Sequence, residues 1–115
     1  MEKEILYYYT DNNKCPFLEW YLELDLSIRA RVDKRIKKLE EDGIYGDHKM
    51  LQNSELSELR LDFGKGYRIY YYDLEDTVIL FVAASDKKDQ KKTIQQANDY
   101  FEDFLKRNLN NDNNR

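Results

Sequence analysis

The 115-residue sequence is poor in the residues that staple or metallate small domains, with one cysteine, Cys15, and one histidine, His48. A single cysteine excludes an internal disulfide, and one histidine without a CxxC pair leaves no recognisable zinc set. Neither a structural metal nor a cofactor is expected. Long apolar runs are also missing. The longest, Val78 to Ala84, has seven residues, against the ~20 that a membrane span needs. The acidic opening MEKEIL lacks the basic region of a secretory signal, so the expected setting is cytoplasmic, with no membrane partner. An excess of positive charge is absent too: 19 Lys and Arg stand against 23 Asp and Glu, a formal net charge of −4. Bulk charge therefore argues against a general nucleic-acid binder, which usually carries a basic excess across the domain.

What is present is charge of both signs and apolar content for one core. Charged residues make up 37% of the chain, above the ~25% of ordinary domains, yet their balance is too even for a disordered polyelectrolyte. The 41% apolar content suits one domain, over residues 1–107, and not two. The charge is unevenly placed: residues 1–26 carry −4, residues 27–92 carry +1 and residues 93–115 carry −1. The cations gather in Arg29, Arg31, Lys34, Arg35, Lys37 and Lys38, and again in Lys87, Lys88, Lys91 and Lys92. The second cluster opens a helix, where cations oppose the helix dipole and so need another reason to be there.

Glu4 to Thr10 is rich in β-formers and ends in the turn Asp11-Asn12-Asn13, which predicts a first strand. Pro16 suits the first turn of a helix, and Phe17, Trp20, Tyr21 and Leu24 recur at helical spacing, so a short helix is expected over Pro16 to Leu24. Ser27 is the expected N-cap of a second helix, with Ile28, Val32, Ile36 and Leu39 as its apolar stripe and Gly43 as its stop. A loop carrying Gly46, Asp47, His48 and Lys49 follows. Glu58 to Phe63 alternates, Tyr67 to Tyr72 is a further strand, and Thr77 to Ala84, apolar on both faces, is a central one. A last helix is expected from Asp89 to Arg107, and residues 108–115 form an Asn-rich tail expected to be disordered. The order β-α-α-β-β-β-α defines an α+β domain, a helical hairpin packed on a small, mostly antiparallel sheet.

The length of the turn between the strands at 58–63 and 67–72 decides which side chains meet. A two-residue loop would set an apolar face against a polar one, because a one-residue shift flips every side chain. A three-residue loop, Gly64-Lys65-Gly66, pairs Phe63 with Tyr67, Leu61 with Ile69 and Leu59 with Tyr71, so the apolar faces agree. The same register sets Asp62 opposite Arg68 and Arg60 opposite Tyr70, gathering two arginines and a tyrosine on the polar face.

The segments SELRLDFGKGYRIYYY (Ser57 to Tyr72) and SDKKDQKKTIQQA (Ser85 to Ala97), following a helical hairpin, resemble the RelE/HigB toxin superfamily. Within it they are most similar to the phage-derived, HigB-like branch of addiction module killer proteins, over roughly Phe17 to Tyr100. The resemblance implies a type II toxin, an mRNA interferase that inhibits translation by ribosome-dependent, metal-independent cleavage of mRNA in the ribosomal A site. It also implies a cognate antitoxin, often a helix-turn-helix DNA-binding protein. By the same resemblance Arg68 is the catalytic arginine, Arg60 faces phosphate, Lys87 and Lys88 form the basic loop before the last helix, and Lys49 matches a basic position ahead of the second strand. Many relatives carry a Tyr or His near the chain end; Thr93 to Asn98 offers neither, which leaves the general base unassigned. Two alternatives stay open: a toxin of the ParE kind that inhibits a topoisomerase by binding, and an inactive remnant that only holds its antitoxin.

The residues fit the chemistry. Metal-free RNA cleavage uses the substrate's 2′-OH as nucleophile, and cations aimed at the developing phosphorane charge are its main lever. Arg60 and Arg68 suit this, since a guanidinium can bind phosphate through two parallel hydrogen bonds. The catalytic candidates are Arg68, Arg60 and Lys87. The substrate-binding candidates are Lys49, His48, Lys88, Tyr70 and Tyr72; His48 has a suitable pKa for proton transfer and the tyrosines suit base stacking. Plainer readings stand beside these: an Arg68–Asp62 cross-strand ion pair, a solvent-exposed His48, and a solvated helix face at Arg29 to Lys38, for which antitoxin or ribosomal RNA contact is the other reading.

Overall fold

The computed structural model describes residues 1–113. Its strands are β1 (Glu4–Tyr7), β2 (His48–Met50), β3 (Ser57–Leu61), β4 (Tyr67–Glu75) and β5 (Val78–Asp86), and its helices α1 (Pro16–Leu22), α2 (Leu26–Asp42) and α3 (Gln90–Asn113). The strands form one sheet in the order β1-β5-β4-β3-β2, with β1 parallel to β5 and the other neighbours antiparallel. This is the expected α+β class.

β5 has a strand on each side and helices over both faces, which is why Ile79 to Ala83 is buried throughout and reads as an unbroken apolar run. On one face Phe17 from α1 and Val32, Ile36 and Leu39 from α2 pack on Leu59, Leu61, Ile69 and Phe81. On the other, Ala97 and Phe101 from α3 pack on Tyr70, Leu80 and Val82. Each such side chain contributes roughly 1.5–3 kcal/mol when fully buried.

Several expectations need correction. The β3–β4 register is Leu61 opposite Tyr67, Arg60 opposite Arg68, Leu59 opposite Ile69 and Glu58 opposite Tyr70. That is two residues from the expected pairing, so every side chain keeps its face but changes its partner. The loop is longer because Asp62 and Phe63 leave the ladder: Gly66 N donates to Phe63 O at 2.9 Å, and Gly64 and Gly66 both take positive φ, 58° and 83°. The loop expected at 46–49 contains β2, which pairs with β3 and makes the sheet five-stranded. α2 starts two residues early, with Asp25 at its N-cap in place of Ser27. α3 continues to Asn113, so 108–113, expected as disordered tail, is helical; Asn108 Nδ2 donates to Phe104 O at 2.7 Å. Residues 114–115 lie outside the described residues.

Candidate active site

Alternation along β3, β4 and β5 sends Glu58, Arg60, Arg68, Tyr70 and Ser85 to the α3 face of the sheet, with Ser85 opposite Arg68. Lys49 on β2 stands opposite Glu58 at the sheet edge and is exposed. Gln90, the first residue of α3, meets the row at Glu58.

Arg60 and Arg68 face each other across the ladder, and like charges in that position destabilise a sheet. The Arg68 side chain is 3% exposed. Its Nη1 donates to Tyr67 O at 2.9 Å and lies 3.4 Å from Oδ1 of the exposed Asp62. The expected Arg68–Asp62 ion pair therefore forms, although from a loop position. The Arg60 side chain is 38% exposed, with Nε 3.9 Å from Glu58 Oε1. The Nε atoms of both arginines are buried without a hydrogen-bond acceptor. A buried donor left unmet costs about 1–3 kcal/mol. Two such donors on facing like charges make this pair the candidate site for an anion.

Sequence reasoning missed Glu58. It set this residue on the polar face without seeing that the side chain is 3% exposed. Its Oε2 accepts from Gln90 Nε2 at 2.9 Å. The spacing was the available signal, since Glu58 lies two residues before Arg60 and so shares its face. A carboxylate held beside the Arg60 guanidinium, on the face that Arg68 shares, is a candidate for taking a proton from a hydroxyl bound there.

The tyrosines do not present the stacking faces expected of them. Tyr70 is fully buried. Ser85 Oγ gives its one hydrogen to Asp86 O at 2.9 Å, so in the 3.1 Å contact the Tyr70 hydroxyl is the donor to Ser85 Oγ. Burial, above all, pushes the Tyr70 hydroxyl up to about 12. Tyr72 packs in the α3 layer, its ring 4.5 Å from that of Phe101. His48 pairs with Leu59, which puts it on the α2 face, against the Tyr45 ring at 5.3 Å and with Nδ1 2.8 Å from Gly46 O. The histidine and the arginines are on opposite sides of the sheet, because one residue of alternation separates His48 from Lys49.

Lys87 and Lys88 are exposed on the 3-10 turn Lys87–Asp89 that joins β5 to α3. The Lys87 N–H donates to Gly66 O at 2.9 Å, tying this turn to the β3–β4 loop. Beside it, burial pushes the Asp86 carboxyl up, but the Asp89 N–H at 3.0 Å and the Lys65 ammonium at 3.2 Å outweigh that and hold it below its usual value.

Arg35 on α2 supports the row from behind. It donates to Tyr45 O at 2.7 Å and 3.1 Å, to Asp47 O at 2.7 Å and to Arg60 O at 2.9 Å. Gly46 is required by this contact, since a Cβ there would lie 2.8 Å from Arg35 Nε. Among the described residues no group of three His, Cys, Asp or Glu is placed to hold a metal ion, and no helix is long and apolar enough to cross a membrane.

This architecture is the RelE-like fold. The structure of E. coli toxin RelE, a double arginine-to-alanine mutant in the free state, is similar with a TM-score of 0.59, covering 85% of this chain and 95% of that one at 13% sequence identity. No family model matches the chain. An uncharacterized protein of Haemophilus influenzae Rd is 37% identical over 82 residues, 70% of this chain and 81% of that protein. The chain belongs to the same family as that protein.

Proposed function

We propose that this protein is the toxin of a type II toxin–antitoxin pair, of the HigB-like branch, and that it cleaves mRNA on the ribosome. The observation that carries this reading is the facing pair of Arg60 and Arg68, with the buried Glu58 carboxylate 3.9 Å from Arg60. The two guanidiniums bind the scissile phosphate and stabilise the charge that grows on it, while the phosphate displaces the exposed Asp62 carboxylate from Arg68. Glu58, oriented by Gln90, removes the 2′-OH proton. The 2′-oxygen then forms a bond to phosphorus as the bond from phosphorus to the 5′-oxygen breaks. Lys87 gives a proton to that departing oxygen, and the products are a 2′,3′-cyclic phosphate and a 5′-hydroxyl. Lys49 and Lys88, at opposite ends of the row, hold flanking phosphates. The nucleophile belongs to the substrate, so positioning and charge are the protein's share.

Orientation of mRNA by the ribosome removes the need for tight binding of free RNA, which reconciles the reaction with an acidic chain. A cognate antitoxin, of the helix-turn-helix DNA-binding kind, holds the toxin in check. The test is primer-extension mapping of mRNA 5′ ends in a reconstituted translation reaction, with and without ribosomes. The reading predicts ribosome-dependent cuts that vanish with Arg68→Ala. Growth arrest without cuts by the folded protein would refute it in favour of a target-binding toxin, such as one acting on a topoisomerase.

A further inference from the structure

A cavity of about 300 Å³ lies where the end of β5 meets α1 and the start of α3, lined by Trp20, Glu23, Tyr67, Ser85, Asp86 and Asp89. It adjoins the arginine pair through Ser85, which stands opposite Arg68 in the ladder. Neighbouring strands are about 4.8 Å apart, so a nucleotide whose phosphate sits at Arg68 has this cavity within reach of its base.

One wall is aromatic. The Trp20 ring meets the Tyr67 ring edge-on, 6.0 Å between centroids, and stays only partly buried where Tyr67 is buried. The indole therefore keeps surface that a ring entering the cavity can cover. The charged groups around it are mostly acidic, and they are not equally free. Asp86 is engaged by the Lys65 ammonium at 3.2 Å and by the Asp89 N–H at 3.0 Å. Glu23 and Asp89 are exposed, and among the described residues neither carboxylate is in an ion pair.

Free carboxylates beside a site for RNA need a reason, because they repel its backbone. A metal ion does not supply one, since among the described residues no three acidic side chains are placed to hold it. A nucleobase does. An ionised carboxylate only accepts hydrogen bonds, so it favours a base edge that carries an amino group, as when Glu or Asp accepts from cytosine N4. Bases of single-stranded RNA are held in this manner, stacked on an aromatic side chain and hydrogen-bonded at the edge. Stacking tolerates every base, so the choice among bases falls to the carboxylates.

We propose that this cavity is a base-reading subsite: Trp20 stacks on the nucleobase next to the scissile phosphate, and Glu23 and Asp89 accept hydrogen bonds from its exocyclic amino group. Cytosine, adenine and guanine are accepted. Uracil is rejected, because its O4 would face carboxylates with no proton between them. The inference rests on the cleavage reading in placing RNA at the arginine pair, and deepens it by giving the substrate a base preference.

Trp20 is the only tryptophan in the chain, so its fluorescence reports on the cavity without any cleavage. The full chain is titrated with cytidine and uridine monophosphate and with guanosine and inosine monophosphate, pairs in which only the first member carries an amino group. N-acetyltryptophanamide corrects for absorption by the nucleotides. The cytidine and guanosine nucleotides should quench the fluorescence and bind about tenfold more tightly than their partners, as a hydrogen bond to a charged acceptor provides. Glu23→Gln combined with Asp89→Asn should melt as the parent does and bind all four within about twofold of one another. Arg68→Gln should weaken all four alike and keep the preference. Mapped mRNA 5′ ends should show a bias against uracil beside the cut that the double variant loses.

A parent that no nucleotide quenches, one that binds all four equally, or a preference that survives in the double variant overturns the proposal. Tighter binding of agmatine than of cytidine monophosphate also overturns it, by making the cavity a site for an organic cation. If the amino-bearing nucleotides are selected through the carboxylates while no mRNA is cut, the cleavage reading fails and the subsite stands. If mRNA is cut on the ribosome but the nucleotides are not discriminated, the cleavage reading stands and the subsite fails.

Discussion

Arg35 and Arg68 are both guanidiniums withdrawn from water, one under the α2 seam and one in the β3–β4 ladder, and their surroundings treat them in opposite ways. Every nitrogen of Arg35 donates to a carbonyl, of Tyr45, Asp47 or Arg60. Arg68 faces another arginine, keeps a buried Nε without an acceptor and takes its one carboxylate contact from the exposed Asp62. Burial of a charge is common to both and so does not mark function. Unmet donors on facing like charges, which a fold selected for stability alone has no reason to keep, are what the proposed anion site rests on.

That contrast can be broken by mutation. Glu58→Gln should have the largest effect, a fall in cleavage of about 10²–10⁴, the usual range for a lost general base. The amide preserves the shape of the site, so the melting curve should hold; rates within threefold of the parent would remove Glu58 from the chemistry. Arg35→Met should act the other way, lowering stability by about 3 kcal/mol by leaving several carbonyls without their donor. Chemical denaturation measures this, and cleavage per folded molecule should change little by comparison.

The pH axis sharpens the contrast, since both faces of β4 bury tyrosine. Burial, above all, pushes the hydroxyls of Tyr70 and Tyr71 up to about 12, from an ordinary 10.0. A folded value above the unfolded one means that their contribution is complete below pH 10.0 and is lost as pH rises towards about 12. Melting temperature followed from about pH 9 upward should fall through that window, with tyrosinate absorbance at 295 nm appearing as structure is lost. Asp62→Asn should have the smallest effect. The carboxylate is exposed, so its pair with Arg68 is worth ~0.2–1 kcal/mol. Stability should barely move, and binding of a non-cleavable RNA should tighten by a few-fold.

Much of the fold was legible because it rests on periodicity. The continuous apolar run of β5, the Val32–Ile36–Leu39 stripe of α2 and the alternation of β3 survive intact, and the polar face shared by Arg60 and Arg68 follows from parity alone. The partners across β3 and β4 were not legible. A shift of two residues preserves which face each residue occupies, so hydrophobic pattern cannot separate the two registers, and the loop's own hydrogen bond from Gly66 to Phe63 decided it. For the same reason the facing arginines were hidden. Glu58 escaped because its burial depends on Gln90 reaching back from α3, a contact between residues 32 apart. His48 and Lys49 looked equivalent in a loop; once β2 forms, their neighbouring positions put them on opposite faces.

The most direct test of the account is whether the arginine pair is an anion site. Melting temperature is measured against rising inorganic phosphate, with chloride at matched ionic strength as the control, for the parent and for Arg68→Gln. The account predicts that phosphate raises the parent's melting temperature, as a ligand of the native state must, and leaves that of Arg68→Gln at the chloride value. Equal stabilisation of both proteins, or of neither, would contradict it.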